Sequence, residues 1–304
     1  MNNILSAIGD TPLIDISTLN ASLPSTRILG KIEGCNPGGS LKDRPALAMI
    51  REAERSGNLT AGKTILEATS GNTGIALAMI GAALGYPTQI VMPACASQER
   101  RAMIAALGAE LELTPAALGT DGAIARARAM FASDPGAYFM PDQFGNSTNV
   151  RAHYETTGPE IFRQAGGGVD AVIAGIGTGG TLMGIGRYLR EVKPGIKVIG
   201  VEPNEGHRIQ GLKNLSESRV PDILDRRLLD AIIRVDDEDA FAVSRLLATK
   251  GGIFAGMSSG AALAGCWKIA RDFPGRTLVV ILPDRGERYL STSLFRSYCG
   301  KCPP

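Results

Sequence analysis

A lysine of this chain has neighbours that suit covalent chemistry. Lys42 lies in the segment NPGGSLKDR, residues 36–44, in which a glycine-rich turn leads into a helix predicted over residues 45–55. Its amine is then next to the backbone N–H groups of a helix start and close to Arg44, and both disfavour the ammonium form. A neutral amine is a nucleophile for carbonyl carbons. Because a lone lysine near a helix start is usually a solvated surface charge, the assignment depends on the loops that accompany it.

A second loop has groups that suit a carboxylate. The segment EATSGNTG, residues 67–74, joins a predicted strand to a predicted helix and supplies Thr69, Ser70, Asn72 and Thr73. Hydroxyls, an amide and free backbone N–H groups at a helix start can bind an anionic group. Taken alone, these residues fit an ordinary polar helix cap better, so the loop gains its meaning from the lysine segment.

A third loop has the composition of a phosphate site. The segment GIGTGGT, residues 175–181, runs from a predicted strand into a predicted helix, and its exposed N–H groups can bind a phosphate. Its glycines also match the GxGxxG spacing and Glu202 ends the next predicted strand, which fits an NAD-dependent oxidoreductase that uses residues 175–180. The hydroxyls of Thr178 and Thr181 favour a terminal phosphate monoester over a bridging pyrophosphate. Both alternatives stay open at this point.

A serine near another predicted helix start could contact an aromatic ring nitrogen. Ser258 lies in GMSSGAA, residues 256–262, where it could also be a plain helix cap. If the site holds a pyridine ring, a hydroxyl partner leaves the ring nitrogen largely unprotonated. The ring is then a weaker electron sink, which favours elimination of a leaving group from Cβ over reactions that need a long-lived carbanion.

Composition predicts a soluble cytoplasmic protein. The 304 residues have a formal net charge of +2 with the basic residues spread along the chain, so no nucleic-acid partner is indicated. No apolar run is long enough to span a membrane, and residues 1–10 lack the pattern of a signal peptide. The five cysteines are irregularly placed, as in proteins of a reducing compartment.

Other residues with reactive side chains receive structural interpretations. The two histidines, His153 and His207, are too few and too far apart for a metal site, and are predicted to be structural or surface groups. Near the C-terminus, Cys299 and Cys302 are predicted to be two exposed thiols. Packing roles are predicted for Cys35, Cys95 and Cys266.

The chain alternates predicted strands and helices. Runs rich in valine and isoleucine predict strands at residues 28–33, 64–67, 88–92, 110–113, 169–174, 197–201 and 278–282. Besides the helix after Lys42, helices are predicted at residues 73–84, 98–107, 121–132, 180–191, 238–249 and 260–271. Alternation of this kind predicts parallel sheets wrapped by helices, with ligands bound at the carboxyl ends of the strands.

The four segments follow one another in the order of a known family. From the lysine segment to the Ser258 segment, the chain resembles the fold-type II pyridoxal-phosphate enzymes, and among them the cysteine synthases, also called O-acetylserine sulfhydrylases. The resemblance extends from residue 9 to residue 291. The stretches that are similar to the B-type enzymes rather than the A-type are residues 97–101, 142–144, 153–160 and 284–291.

This resemblance implies a cofactor, pyridoxal 5'-phosphate, and a set of roles. Lys42 forms the internal aldimine and later moves the Cα proton of the substrate. The other implied cofactor contacts are Asn72 at the phenolic oxygen, Ser258 at the ring nitrogen, and Gly177, Thr178, Gly179, Gly180 and Thr181 at the phosphate. The implied contacts to the substrate carboxylate are Thr69, Ser70, Thr73 and Gln143. The implied reaction is a β-replacement that forms L-cysteine, in which sulfide or thiosulfate replaces the leaving group of O-acetylserine or O-phosphoserine.

The choice of substrate stays open. B-type enzymes have a basic pair or an Arg-Asn pair after the strand that ends at Glu202, and here that segment reads GLKNL, residues 211–215. Lys213 retains one positive charge, which predicts a contact with an anionic substrate without deciding between the sulfur donors or the leaving groups. Within the same fold, a cystathionine β-synthase-type condensation of serine with homocysteine is the alternative, because those enzymes share the lysine and TSGNTG segments.

The resemblance also implies the architecture. The expected fold is α/β of the tryptophan synthase β type, with two open, twisted, mostly parallel sheets wrapped by helices. Residues 40–145 are expected to form a smaller mobile substrate-binding domain, and residues 1–39 and 146–304 a larger domain that binds the cofactor phosphate. A homodimer with small-molecule substrates is expected, and a complex with serine acetyltransferase is left open.

Overall fold

The computed structural model describes residues 3–20, 22 and 25–295, which fold into alternating strands and helices. The strands are β1 (Leu13–Asp15), β2 (Arg27–Ile32), β3 (Thr64–Ala68), β4 (Thr88–Pro93), β5 (Glu110–Thr114), β6 (Tyr138–Phe139), β7 (Ala171–Gly175), β8 (Lys197–Pro203), β9 (Ala231–Val235) and β10 (Thr277–Leu282). The α-helices are α1 (Asp43–Ser56), α2 (Asn72–Leu84), α3 (Gln98–Ala106), α4 (Gly119–Ser133), α5 (Ser147–Ala152), α6 (Gly158–Gln164), α7 (Gly180–Val192), α8 (Asp237–Gly251) and α9 (Met257–Ile269). None of the helices in this described part is long and apolar enough to cross a membrane.

The strands form two sheets. The order in the larger sheet is β1-β2-β10-β7-β8-β9, and every neighbouring pair is parallel except β1 and β2. The order in the smaller sheet is β5-β4-β3-β6, with all pairs parallel. The predicted fold class, α/β with two mostly parallel sheets wrapped by helices, is confirmed. The division into domains at residues 40 and 145 stays a prediction.

The central strands are apolar because helices cover both of their faces. Strand β10, with the sequence TLVVIL, is buried over its last five residues. Its alternate side chains enter two different clusters, since successive residues of a strand point to opposite faces. Val280 packs in the cluster that contains residues of α8 and α9, whereas Val279 packs in the cluster that contains residues of α7. The larger sheet is therefore a middle layer between helices.

The carboxyl ends of three strands bring the candidate segments together. Strand β3 ends at Ala68, immediately before the TSGNTG loop, and β7 ends at Gly175, where the glycine-rich loop begins. Strand β10 ends at Leu282. The lysine segment is attached just beyond that end, because the N–H of Leu41 donates to the carbonyl oxygen of Pro283 at 2.8 Å. Loops from both sheets therefore meet at one cleft, as expected for parallel sheets.

Several elements differ from the sequence prediction. Strands β1, β6 and β9 and helices α5 and α6 are not predicted, and most of these are too short to show a hydrophobic period. The last helix, predicted from residue 260, begins at Met257. Gly260 is an interior position where α9 touches α8, because a Cβ there would overlap the carbonyl oxygen of Ala240. This glycine permits close helix packing rather than marking a helix start.

Candidate active site

A cleft lined by loops of both sheets contains most of the predicted site residues. Its cavity has a volume of about 850 Å³. The predicted residues that line it are Lys42, Thr69, Ser70, Asn72, Thr73, Gln143, Gly177, Thr178, Gly179, Thr181, Lys213 and Ser258. Gly180 is the one predicted site residue that does not line this cavity. Folding thus brings segments from distant parts of the chain to one place.

Lys42 lies at the start of α1 with its side chain half-buried in the cleft. Burial of the amine lowers its pKa to about 8. The expectation that Arg44 contributes to this shift is wrong. The guanidinium of Arg44 is engaged in ion pairs with Glu33 and Glu160, each with a nitrogen–oxygen distance of 2.7 Å. Removal of the amine from water, rather than a neighbouring cation, therefore favours its neutral form.

Arg288 fixes the turn that precedes Lys42. Its buried guanidinium donates to the carbonyl oxygens of Gly38 and Gly39, the latter at 2.6 Å. Gly39 has a φ of +78°, and a Cβ at this position would lie 2.5 Å from a terminal nitrogen of Arg288. The carboxylate of Asp43 accepts the N–H of Gly38 at 2.6 Å. The glycines of this segment thus allow an arginine to approach the backbone and hold the lysine in place.

The TSGNTG loop is held by hydrogen bonds of its own side chains and of Gln143. The hydroxyl of Thr73 donates to Oε1 of Gln143 at 2.7 Å, and Nε2 of Gln143 donates to the carbonyl oxygen of Ala68 at 3.2 Å. The N–H of Gly71 donates to Oγ1 of Thr69 at 3.0 Å. All these groups lie where β3 passes into α2. The arrangement places hydroxyls, an amide and helix-start N–H groups together, which suits a carboxylate.

Asn72 has a fixed amide orientation. Its Nδ2 donates to Oδ2 of Asp284 at 2.6 Å, and the hydroxyl of Tyr289 donates to the same oxygen at 2.6 Å. Because a carboxylate only accepts hydrogen bonds, the amide nitrogen must face Asp284. The Oδ1 atom of Asn72 is buried without a partner in the described residues.

The glycine-rich loop has little room for side chains. A Cβ at Gly177 would lie 2.8 Å from the carbonyl oxygen of Gly211, and a Cβ at Gly180 would overlap the side-chain amide of Asn149. Gly179 has a φ of +86°, which favours glycine. Gly180 packs against Asn149, which explains why it does not line the cleft. Helix α7 begins at Gly180, so free N–H groups of its first turn lie at the loop.

Comparison with known proteins identifies the family. A family model described as pyridoxal-phosphate dependent enzyme matches residues 4–284. The chain belongs to this family. It is 47% identical to a cysteine synthase of Aquifex aeolicus over 96% of this chain and 91% of that protein, and 45% identical to cysteine synthase B of Salmonella typhimurium over 97% and 96%. A solved structure of a cysteine synthase from Entamoeba histolytica is similar with a TM-score of 0.91 and 41% identity, over 97% of this chain and 91% of that one.

The cleft of this pyridoxal-phosphate dependent enzyme has the features that its cofactor requires. The amine of Lys42 has no hydrogen-bond or ion-pair partner within the described part of the chain, and its pKa is lowered. The glycine-rich loop offers helix-start N–H groups that suit a phosphate. Ser258, in the first turn of α9, lines the same cavity. The residues fit pyridoxal phosphate, and the role of each one stays a prediction.

The alternative of an NAD-dependent oxidoreductase is wrong for this pyridoxal-phosphate enzyme. In that alternative Glu202 would bind a ribose hydroxyl. Glu202 is buried, and its Oε2 accepts the N–H of Leu215 at 3.1 Å. Its Oε1 forms an ion pair with Arg234 at 2.9 Å. The carboxylate is therefore already engaged in holding the segment that follows β8.

His153 supports the phosphate loop, a role that the sequence does not reveal. It begins a π-helical turn, His153–Thr157, and is fully buried. Its Nε2 lies 3.3 Å from Oγ1 of Thr181, and its Nδ1 lies 2.9 Å from Oγ1 of Thr157. Burial holds its pKa well below the usual value, so the imidazole is neutral. A single histidine far from the loop in sequence gives no signal of this contact.

Lys213 lines the cleft, and its positive charge is partly balanced by the carboxylate of Asp121. Its Nζ lies 3.7 Å from Oδ1 of Asp121, on α4, and 5.2 Å from the ring centroid of Phe144. Its backbone N–H donates to the carbonyl oxygen of Ile176 at 2.8 Å, which attaches this segment to the glycine-rich loop. The contact with Asp121 reduces the positive charge that a substrate would meet.

Arg100 is a cleft residue that sequence reasoning missed. It lies on α3, is 2% exposed and lines the cavity. Its guanidinium carbon lies 4.3 Å from the ring centroid of Tyr289, and its Nη1 donates to Oε1 of Gln210. The segment around it resembles the B-type enzymes, but a helical arginine in a run of charged residues is typical of a solvated face.

The predicted packing roles of the cysteines hold in part. Cys266 is buried, whereas Cys35 and Cys95 are exposed, so the prediction is wrong for these two. Cys299 and Cys302 lie outside the described residues. No group of three or more histidine, cysteine, aspartate or glutamate residues in the described part could hold a metal ion.

Proposed function

We propose that this protein is a cysteine synthase, which forms L-cysteine from an O-activated serine and a sulfur donor. The observation that supports this most directly is the amine of Lys42, whose pKa is lowered to about 8. It lies in a cleft that the TSGNTG loop and the glycine-rich loop also line. Two relatives that bear the name cysteine synthase match along almost their whole length, which supports the same activity.

In this proposal the two loops have separate ligands. The substrate carboxylate binds to Thr69, Ser70, Thr73 and Gln143, which lie at the start of α2. The cofactor phosphate binds at residues 177–181, the phenolic oxygen at Asn72 and the ring nitrogen at Ser258. Residues 40–145 form the smaller domain, which closes on the amino acid and excludes water.

Lys42 holds the cofactor and then moves the proton. When bound, pyridoxal phosphate withdraws electrons from the Cα atom of the amino acid. Lys42 removes the Cα proton, and the bond between Cβ and the leaving-group oxygen breaks, so that O-acetylserine releases acetate. Sulfide then forms a bond to Cβ, and Lys42 returns the proton to Cα to give L-cysteine. An amine with a pKa of about 8 can both accept and donate a proton near neutral pH.

O-acetylserine with sulfide is the principal substrate pair in this proposal. O-phosphoserine and thiosulfate are the anionic alternatives that Lys213 favours, because a cation in the cleft lowers the free energy of a bound anion. The working form is a homodimer in the cytoplasm.

The test is product formation by the purified protein supplied with pyridoxal phosphate. O-acetylserine with sulfide should give cysteine, and serine with homocysteine is assayed in parallel for cystathionine. Lys42→Ala should abolish product formation without loss of folding, and Lys250→Ala, which changes an exposed lysine, should not. Absence of cysteine, or an unchanged rate in Lys42→Ala, would contradict the proposal. If cystathionine is the main product, the activity is instead the condensation of serine with homocysteine.

A further inference from the structure

The cations of the cleft differ in their partners. Arg208 lines the cavity, but its guanidinium pairs with Asp237 at 3.0 Å and with Glu238 at 2.8 Å. Lys213 pairs with Asp121 at 3.7 Å. Arg100 forms no ion pair within the described part of the chain. Apart from the lysine that holds the cofactor, Arg100 is thus the cleft cation whose charge no described carboxylate balances.

The contacts of Arg100 leave hydrogen-bonding capacity unused. Its Nη1 donates to a neutral group, Oε1 of Gln210, and its guanidinium lies over the ring of Tyr289. Its Nε is buried and has no partner among the described residues. A guanidinium has five N–H donors in a planar fork and carries a positive charge. Burial of such a group without a counter-charge is costly, and an anion in the cleft would offset that cost.

Arg100 also lies against the loop proposed to bind the substrate. A Cβ on Gly71 would overlap Cδ of Arg100, so glycine at this position is what allows the arginine to enter. Gly71 stands between Ser70 and Asn72, both of which line the cavity. The unpaired guanidinium is therefore close to the place where a substrate reaches the cofactor.

We propose that Arg100 binds an oxyanion of a substrate in this cleft. The fork of donors matches the paired oxygens of a carboxylate or of thiosulfate. The oxyanion is either the α-carboxylate of the amino acid or the oxygens of an anionic sulfur donor, since both accept hydrogen bonds in the same way. The inference rests on the proposed function, since it specifies how that site selects its substrates.

The experiment measures equilibrium binding to the holoenzyme, so it does not depend on turnover. Dissociation constants are measured by titration calorimetry for thiosulfate alone and for L-serine, which lacks an activated leaving group. The proteins are the wild type, Arg100→Gln, Arg100→Lys and Arg208→Gln, the last being a matched control in which a paired cleft arginine is changed. Cofactor content and the melting temperature are measured for each protein.

In Arg100→Gln, one of the two dissociation constants should rise on the order of tenfold to a hundredfold, as for the loss of charged hydrogen bonds. The constant that rises identifies the source: thiosulfate for the sulfur donor, L-serine for the carboxylate. Arg208→Gln should leave both near the wild-type values. Arg100→Lys should retain part of the affinity, since it keeps the charge and loses the fork.

Unchanged constants in a folded Arg100→Gln would overturn the proposal, as would equal losses for both ligands, which indicate a support role for the loop. Wild-type protein that binds neither ligand would overturn it too. If Arg100→Gln does not fold, Arg100→Lys provides the test, and an unchanged constant for both ligands in that variant contradicts the proposal. Failure of the wild type to make cysteine contradicts the proposed function alone, because the binding constants are measured independently.

Discussion

Asn72 and Asp284 join the start of α2 to the end of β10. Their side chains are linked by a hydrogen bond of 2.6 Å, although they lie 212 residues apart in the chain. Tyr289 donates to the same carboxylate oxygen at 2.6 Å, which keeps Asp284 from turning away. The contact decides which way the amide of Asn72 faces, and so determines what a cofactor meets at this edge of the cleft.

Replacement of Asp284 by asparagine should weaken cofactor binding about tenfold. An asparagine at position 284 has one terminal atom that accepts hydrogen bonds and one that donates them, so Asn72 loses its single orientation. The loss of the charge-assisted hydrogen bond corresponds to roughly 1.5 kcal/mol. The measurement is the dissociation constant of pyridoxal phosphate from the apoprotein. Tyr289→Phe, which keeps the carboxylate, should have a smaller effect. Equal affinities in wild type and Asp284→Asn would show that this contact does not orient Asn72.

The rate at which the apoprotein captures pyridoxal phosphate should rise with pH up to about 8 and then level off. Burial lowers the pKa of Lys42 from its usual value of 10.5 to about 8, so the neutral nucleophile is the main form above that pH. Below it, the rate should fall about tenfold per pH unit, as the neutral fraction does. Nα-acetyl-lysine provides the reference for a solvated amine, since its reaction includes the same ionisation of the cofactor. A protein profile that levels off only near pH 10 would place the amine in water.

The fold was predictable where local pattern and burial agree. Strands such as β10 and β7 are continuous apolar runs because they lie in the middle of a covered parallel sheet. The two-residue strand β6 exists only through its pairing with β3, a partner more than sixty residues earlier. No local pattern can predict such a strand.

The site also has some residues that a local sequence pattern reveals and others that depend on distant partners. The lysine segment, the TSGNTG loop and the glycine-rich loop are visible in the sequence because each needs glycines or hydroxyls in consecutive positions. The contacts of Arg100, His153 and Asp284 were missed because their partners are distant in sequence. Arg100 and Gln210, for example, lie 110 residues apart. Their residue types have many other uses, so only the folded arrangement reveals the contacts.

Gly71→Ala should destabilise the protein much more than Gly57→Ala. Gly71 has a φ of +153° and its Cβ would overlap Arg100, so the substitution combines backbone strain with a clash, together roughly 3 kcal/mol. Gly57 has a φ of +75° but nothing within 4 Å of its Cβ, which leaves strain of about 1 kcal/mol. The free energy of unfolding in urea gives both values. Comparable losses would mean that Arg100 moves aside at little cost.

Lys213 and Asp121 should have opposite effects on anionic substrates. Removal of the cation in Lys213→Ala should lower kcat/KM for thiosulfate or O-phosphoserine about threefold to fivefold, because a partly solvated pair is worth less than about 1 kcal/mol. Asp121→Asn removes the charge that opposes an incoming anion and should raise the same constants. O-acetylserine with sulfide should change least in both variants.

Comparison of Lys213→Ala with Asp121→Asn distinguishes an electrostatic effect on the substrate from a structural effect on the cleft. A support role for the Lys213 side chain, whose Nζ lies 5.2 Å from the ring centroid of Phe144, would lower kcat/KM on every substrate pair. A charge effect changes the anionic substrates selectively and weakens at high ionic strength, because salt screens exposed charges. The deciding measurement is therefore kcat/KM for each substrate pair at low and high salt. Uniform changes, or a decrease in Asp121→Asn, would rule out a contribution of this ion pair to substrate choice.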